Sequence, residues 1–182
     1  MKKFKLSFIV IIIMFFFKNL AAANYDKIFY DFSIKSISGE IIDFKDFTGK
    51  VILLVNTASY CGFTNQYADL QNIWDEYKSS GLIVLAVPSN SFNQEKKADD
   101  EVKNFCEVNF DINFPITTIT EVKGENSHEI FKWAKKNYGN AAIPKWNFHK
   151  ILINKEGKIE DTFSSFTKPN SNKILEKIKK LL

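Results

Sequence analysis

Apolar residues fall along the chain in blocks whose spacing changes from one block to the next. Val51-Ile52-Leu53-Leu54-Val55 is an unbroken aliphatic run with β-branched character, the pattern of a strand covered on both faces. Tyr67, Leu70, Ile73, Trp74 and Tyr77 then recur at helical spacing, which predicts one apolar helix face ended by Ser79-Ser80-Gly81. Leu82 to Val87, closed by Pro88, reads as a second buried strand. The three segments make a β-α-β unit, and such a unit implies a parallel pair. Ahead of it, Phe29 to Ile37 and Glu40 to Phe44, separated by Ser38-Gly39, predict a small hairpin.

Further along, Asp99-Asp100-Glu101 places acids at the start of a helix running to Phe110, with Val102, Phe105 and Cys106 along it. Pro115 and Ile116 to Ile119 read as a short extended segment. Ser127 to Tyr138 is a predicted helix with Ser127 as N-cap and Gly139 as its stop. Phe148 to Asn154 and Lys158 to Phe163, joined at Lys155-Glu156-Gly157, predict a second hairpin. Asn170 or Ser171 then caps a C-terminal amphipathic helix that turns Ile174, Leu175, Ile178, Leu181 and Leu182 inward. The order hairpin, β, α, β, α, β, α, β-hairpin, α predicts an α/β thioredoxin-like fold: a central mixed sheet with helices on both faces and an N-terminal β-hairpin.

Length and charge narrow the classes. A chain of 182 residues holds one domain. Residues 1–23 read as an export signal: Lys2, Lys3 and Lys5 precede the apolar run Leu6 to Phe17, and Leu20-Ala21-Ala22-Ala23 offers a small-residue cleavage site before Asn24. The run is short of the ~20 residues a spanning helix needs, so an uncleaved anchor is the weaker alternative. The domain is then 24–182, placed in the periplasm or another extracytoplasmic compartment. The four lysines of the leader account for the whole formal charge of +4, and the mature chain is close to neutral. All 25 basic residues are lysine, which removes the bidentate guanidinium contacts of nucleic-acid readers; no nucleic-acid partner is expected.

Cys61 and Cys106 are the only cysteines. In an oxidising compartment composition alone favours a structural disulfide between them. Position gives Cys61 another reading. It leaves the carboxyl end of the first core strand and precedes a helix, where open α/β sheets place their sites. Backbone N–H groups of Gly62, Phe63 and Thr64 are expected to face the sulfur, and the helix dipole would favour thiolate.

Two stretches carry a resemblance. "VNTASYCGFTNQYADLQ" and "IPKWNFHKILINKEGKI" closely resemble the glutathione peroxidase family in its cysteine-containing form, and the likeness runs from about Ile28 to the C-terminus. It implies that Cys61 is the peroxidatic cysteine, and that Gln94 in "NSFNQE" with Trp146 and Asn147 in "KWNF" are its catalytic partners. The loop holding Gln94 is one residue shorter than in the family and lacks a proline-glycine, and Tyr60 stands where lysine is common. Cys106, in "VKNFCEVNFDINFP", matches the resolving cysteine of thioredoxin-dependent members. The resemblance thus implies a Cys61–Cys106 disulfide intermediate re-reduced by a thioredoxin-like dithiol protein. The short stretch from Gly124 to Pro144 resembles monomeric members, whose open site admits bulky and lipid hydroperoxides. Without arginine there is no basic cradle for glutathione, which makes it the less favoured reductant.

His128 and His149 lack ligand-spaced neighbours and are read as surface or packing residues; no metal or cofactor is expected. Two other functions stay open. A thiol-disulfide oxidoreductase or redox relay would share the fold but would carry Cys-x-x-Cys, where this chain has Thr64. A non-enzymatic exported domain would keep the cysteine pair as a structural bridge.

Overall fold

The computed structural model describes residues 25–182, and the predicted export signal over residues 1–23 lies outside the described residues. The first hairpin forms from β1 (Ser33–Lys35) and β2 (Ile41–Asp43), an antiparallel pair that stands as its own small sheet. The main sheet has four strands in the order β4-β3-β5-β6, where β3 is Val51–Thr57, β4 Leu82–Pro88, β5 Lys150–Ile153 and β6 Ile159–Phe163. β3 pairs parallel with β4 and antiparallel with β5, and β5 pairs antiparallel with β6. The sheet is therefore mixed, as the element order predicts.

Every residue of β3 is buried, because the sheet is covered on both sides. Val51, Leu53 and Val55 point into one core with α1 (Gln66–Tyr77), α2 (Asp99–Phe110) and α4 (Asn172–Leu181). Ile52 and Leu54, of opposite parity, point into the other with α3 (Glu129–Tyr138) and the N-terminal hairpin segment. This is the period-two alternation of a strand, hidden in the sequence because both faces are apolar.

Two expectations need correction. Ile116 to Ile119 does not become a strand: it joins its neighbours only through isolated bridges, Ser36 with Thr117 and Ala86 with Ile116. Pro115 lacks a donor, and the Ile119 N–H is diverted to Asp99 Oδ1 at 2.8 Å, so no ladder extends. The cap of α3 is His128, whose Nδ1 accepts from the Ile130 N–H, while the Ser127 hydroxyl turns back to donate to the Gly124 carbonyl. His128 is thus a helix cap rather than a plain packing residue.

Lys150 is fully buried on β5. Its Nζ donates to the Gln66 side-chain carbonyl and, at 2.7 Å, to the Thr167 carbonyl, and among the described residues no carboxylate lies within ion-pair reach. A neutral amine has two N–H donors, matching these two acceptors; a third proton would meet no partner. Burial accordingly pushes the Lys150 amine down to about 7. Burial likewise pushes His149 down to about 4, with the Lys150 and Lys145 charges adding to the effect.

These shifts set a pH dependence. Between about 7 and the ordinary lysine value of 10.5, the unfolded chain holds a proton on Lys150 that the folded chain releases, so stability rises with pH across that window. The single-group limit for this slope is about 1.4 kcal/mol per pH unit. Between 6.5 and about 4 the unfolded chain protonates His149 while the folded chain resists, so stability falls as acid is added. Urea midpoints measured from pH 4 to 10 should show both slopes. Lys150→Met should flatten the alkaline one and leave the acid one; an unchanged alkaline slope would mean that Lys150 is charged in the fold.

Candidate active site

The sheet ends β3 two residues beyond its aliphatic run, at the buried polar pair Asn56 and Thr57. Asn56 has more hydrogen-bonding groups than the ladder can use, and its side chain reaches across to the segment that precedes β5. Nδ2 donates to the Trp146 carbonyl at 3.2 Å, and Oδ1 accepts from the His149 N–H at 3.1 Å. The backbone closes the same junction, with the Phe148 N–H donating to the Asn56 carbonyl at 2.6 Å. Phe148 holds φ at +62°, a left-handed conformation uncommon for a bulky residue. That turn sends the Phe148 ring into the core, edge-on to Tyr67 at 5.4 Å. It also leaves Trp146 and Asn147 at the sheet end.

After Thr57 the chain enters the cysteine turn. Cys61 is 7% exposed and unpaired. The Phe63 N–H donates to its Sγ at 3.5 Å, a contact suited to an anionic sulfur. Here the sequence-based expectation fails in part. Helix α1 begins only at Gln66, and the Thr64 N–H closes the turn onto the Cys61 carbonyl at 3.0 Å instead of facing the sulfur. The Thr64 hydroxyl makes the turn self-contained: it accepts from the Cys61 N–H at 3.2 Å and lies 3.0 Å from the Ala58 carbonyl.

A third loop completes the site. Asn93, at φ +58°, bends the chain so that the Gln94 carbonyl accepts from the Tyr60 N–H at 2.9 Å. Asparagine tolerates this region better than most residues, which lets the shortened loop turn tightly. The Gln94 side chain reaches the site: its Oε1 accepts from Asn147 Nδ2 at 2.9 Å. Asn147 is fully buried, and its Oδ1 has no partner in the protein. Trp146 is 42% exposed and packs its ring against Phe92 at 5.3 Å. Tyr60 is exposed and lies beside Lys96, whose Nζ donates to its hydroxyl at 3.0 Å.

Gln94 thus joins the cysteine turn through its backbone and Asn147 through its side chain, with Trp146 next in chain to Asn147. Sequence reasoning missed two residues that hold them there. One is Asn56. The other is Glu95, 7% exposed, whose Oε1 accepts from the Ser59 N–H at 3.0 Å and the Lys96 N–H at 2.8 Å. Burial pushes its carboxyl up, and the Ser59 and Lys96 donors oppose that rise. An acid directly after Gln94 was the only available signal, and nothing in the sequence distinguishes it from a solvated one.

Cys106 takes no part in these hydrogen bonds. It sits in the middle of α2, fully buried and unpaired. Burial pushes its thiol up to about 11, a rise that the Tyr67 hydroxyl opposes and the charges of Glu95 and Glu107 increase. The two cysteines are free thiols in this structure, so the structural bridge favoured by composition is not formed.

Comparison with known proteins gives the family. The model of the glutathione peroxidase family matches residues 29–135. A hydroperoxy fatty acid reductase of Synechocystis sp. is 38% identical over 88% of this chain and 99% of its own length. A glutathione peroxidase-like peroxiredoxin of Schizosaccharomyces pombe is 41% identical, covering 78% of this chain and 91% of its own. The crystal structure of T. cruzi GPX1 superposes with a TM-score of 0.64 at 28% identity, over 85% of this chain and 94% of that one. A thiol:disulfide interchange protein of the thioredoxin family from Chlorobium tepidum, 16% identical with a TM-score of 0.62 over 82% and 92% of the two chains, shares the fold.

The junction at Asn56 makes a direct test. Asn56→Ala removes two side-chain hydrogen bonds and leaves the Trp146 carbonyl and the His149 N–H without their partners. Unfolding free energy should fall by about 1–3 kcal/mol, measured by urea denaturation. A loss below about 0.5 kcal/mol, the level of an ordinary surface change, would mean that the junction holds without it.

Proposed function

The chain belongs to the glutathione peroxidase family, whose members are peroxide-reducing oxidoreductases, and from that premise we propose that it reduces hydrogen peroxide and organic hydroperoxides, lipid ones included, at Cys61. The observation that carries this reading is the hydrogen bond from Asn147 to Gln94, beside the one from Tyr60 to the Gln94 backbone. Two residues far apart in sequence are brought to the cysteine turn with donor groups to spare. Because Oε1 of Gln94 is occupied, its Nε2 hydrogens are the groups left for sulfur or peroxide oxygen.

In the first step the Cys61 thiolate attacks one peroxide oxygen and the O–O bond breaks. The departing oxide takes a proton to become water or an alcohol, and the sulfur becomes a sulfenic acid. Donors from Gln94, Trp146 and Asn147 stabilise the charge as it moves from sulfur to the leaving oxygen. The buried Oδ1 of Asn147, which has no partner in the protein, supports a role in accepting from the hydroperoxide O–H.

In the second step Cys106 attacks the sulfenic sulfur, and water leaves as the disulfide forms. Disulfide geometry requires the two Cα atoms to lie within about 7 Å, and a thiol held at about 11 in a helix core is a poor nucleophile. α2 must therefore open before resolution. A thioredoxin-like dithiol protein then reduces the disulfide in preference to glutathione, since no arginine supports a tripeptide carboxylate. The enzyme acts as a monomer in an extracytoplasmic compartment, consistent with the basic and apolar leader.

Stopped-flow oxidation of the reduced protein by hydrogen peroxide tests this scheme. Wild type should react and end as an intramolecular disulfide. Cys106→Ser should react equally fast and stop at a sulfenic acid that dimedone traps, and Gln94→Ala should slow the first step about 100-fold. Reaction of wild type no faster than a free thiol at the same pH would sink the peroxidase reading.

A further inference from the structure

Among the described residues Lys150 is the only lysine that is buried, and no step at Cys61 uses it. It stands on β5 opposite Val55 of β3, and its Nζ lies between two carbonyls, that of the Gln66 side chain and that of the Thr167 backbone. Gln66 passes the tie on: its Nε2 donates to the Ser165 carbonyl at 2.7 Å. Ser165 and Thr167 flank Phe166, so the carbonyls on both sides of that residue are held from the interior. Phe166 itself is 83% exposed, and burial does not fix its ring. The ring nevertheless stands edge-on to Phe63 at 5.2 Å.

Phe63 is where these ties meet the cysteine turn. Its carbonyl accepts from the Gln66 N–H at 2.9 Å, its ring packs against Phe166, and its own N–H donates to Cys61 Sγ at 3.5 Å. α1 begins five residues after Cys61, and among the described residues this N–H makes the one hydrogen bond to the sulfur. A thiolate is favoured by each N–H aimed at it, so its population depends here on the orientation of a single peptide group. A side chain that fixes Phe63 therefore acts on the sulfur without touching it. Burying an amine is unfavourable unless its donors are matched, and both acceptors of Lys150 lead to Phe63.

We propose that Lys150 is a positioning residue for the peroxidatic thiolate: with Gln66 it clamps loop 165–167 to the start of α1 and so keeps the Phe63 N–H on Cys61 Sγ. The proposal rests on the reading of Cys61 as the peroxidatic thiol. Two N–H donors are all that the clamp needs, and a neutral amine supplies them.

The test is the pH profile of Cys61 alkylation by iodoacetamide, in the reduced full chain carrying Cys106→Ser so that one thiol reacts. Lys150→Met and Gln66→Met each remove one arm of the clamp and nearly keep the side-chain volume. Both should move the midpoint of the alkylation rate up by about one pH unit, the loss of one charge-assisted hydrogen bond, and leave the alkaline plateau unchanged. Phe166→Ser, an exposed change, should move it the same way by about half a unit, the loss of one aromatic pair. An unmoved midpoint in folded Lys150→Met, or in Phe166→Ser where neither buried variant folds, would overturn the clamp. A shift in Lys150→Met but not in Gln66→Met would trace to a lost cation and overturn it too. If the midpoints shift as stated yet the parent protein reacts with hydrogen peroxide no faster than a free thiol, the peroxidatic reading fails while the effect of Lys150 on the thiolate stands.

Discussion

Asn56 stands where a buried strand runs out of aliphatic residues but not of backbone, and its amide ties that strand end to the chain ninety residues later. A polar side chain inside a sheet is unfavourable unless every donor and acceptor is matched. Here the match is made by the Trp146 carbonyl and the His149 N–H, two groups that lie outside any regular ladder. The consequences spread from this one exchange. Phe148 is forced into a left-handed turn, β5 enters in register with β3, and Trp146 and Asn147 stop beside the loop that β3 feeds. Gln94 and Glu95 then pin that loop from the other side through Tyr60 and Ser59. The site is therefore built on backbone hydrogen bonds between three loops, which fixes donors more firmly than side-chain packing would.

The same physics separates the two cysteines. Both are buried, yet their surroundings differ in kind. Cys61 sits in a turn at a sheet end with an N–H on its sulfur, whereas Cys106 faces a core of apolar side chains that penalises charge. A thiol is oxidised through its thiolate, so an oxidant meeting both would select the first. Burial thus keeps the second sulfur in its thiol form.

Periodicity made most of the frame legible. The aliphatic runs of β3 and β4, the helical spacing of α1, and the acid-led start of α2 all mark elements at nearly their observed limits. The motif around Cys61 and the pair Trp146-Asn147 were legible because they are long and specific. What was hidden depends on partners distant in the chain. Glu95 and Lys150 are charged residues in ordinary-looking positions, and only tertiary contacts show that each is buried, Lys150 on two carbonyl acceptors and Glu95 with Oε1 bound and Oε2 unpartnered. The α3 cap went to His128 in place of Ser127 because a histidine ring can reach the N–H of Ile130, a local competition that residue type does not settle. The turn between Cys61 and Gln66 was hidden for a similar reason: the Thr64 hydroxyl stabilises it and delays the helix by five residues.

The two cysteines stand on elements anchored to different degrees. Only Val102 and Cys106 of its twelve residues are buried, against six of twelve in α1. No side chain caps its first turn, although three acids there suit the helix dipole, and its main tether is Asp99, which accepts from Ile119 N–H and Thr118 hydroxyl. Exposing Val102 and Cys106 costs about 3–6 kcal/mol, and Phe105 and Phe110, partly buried against the same core, add to that cost. Releasing α1 would instead expose Tyr67, Leu70 and Ile73 together and dismantle the core under the sheet. The fold carries Cys106 on its more lightly buried helix and Cys61 in the turn that follows the Asn56 junction.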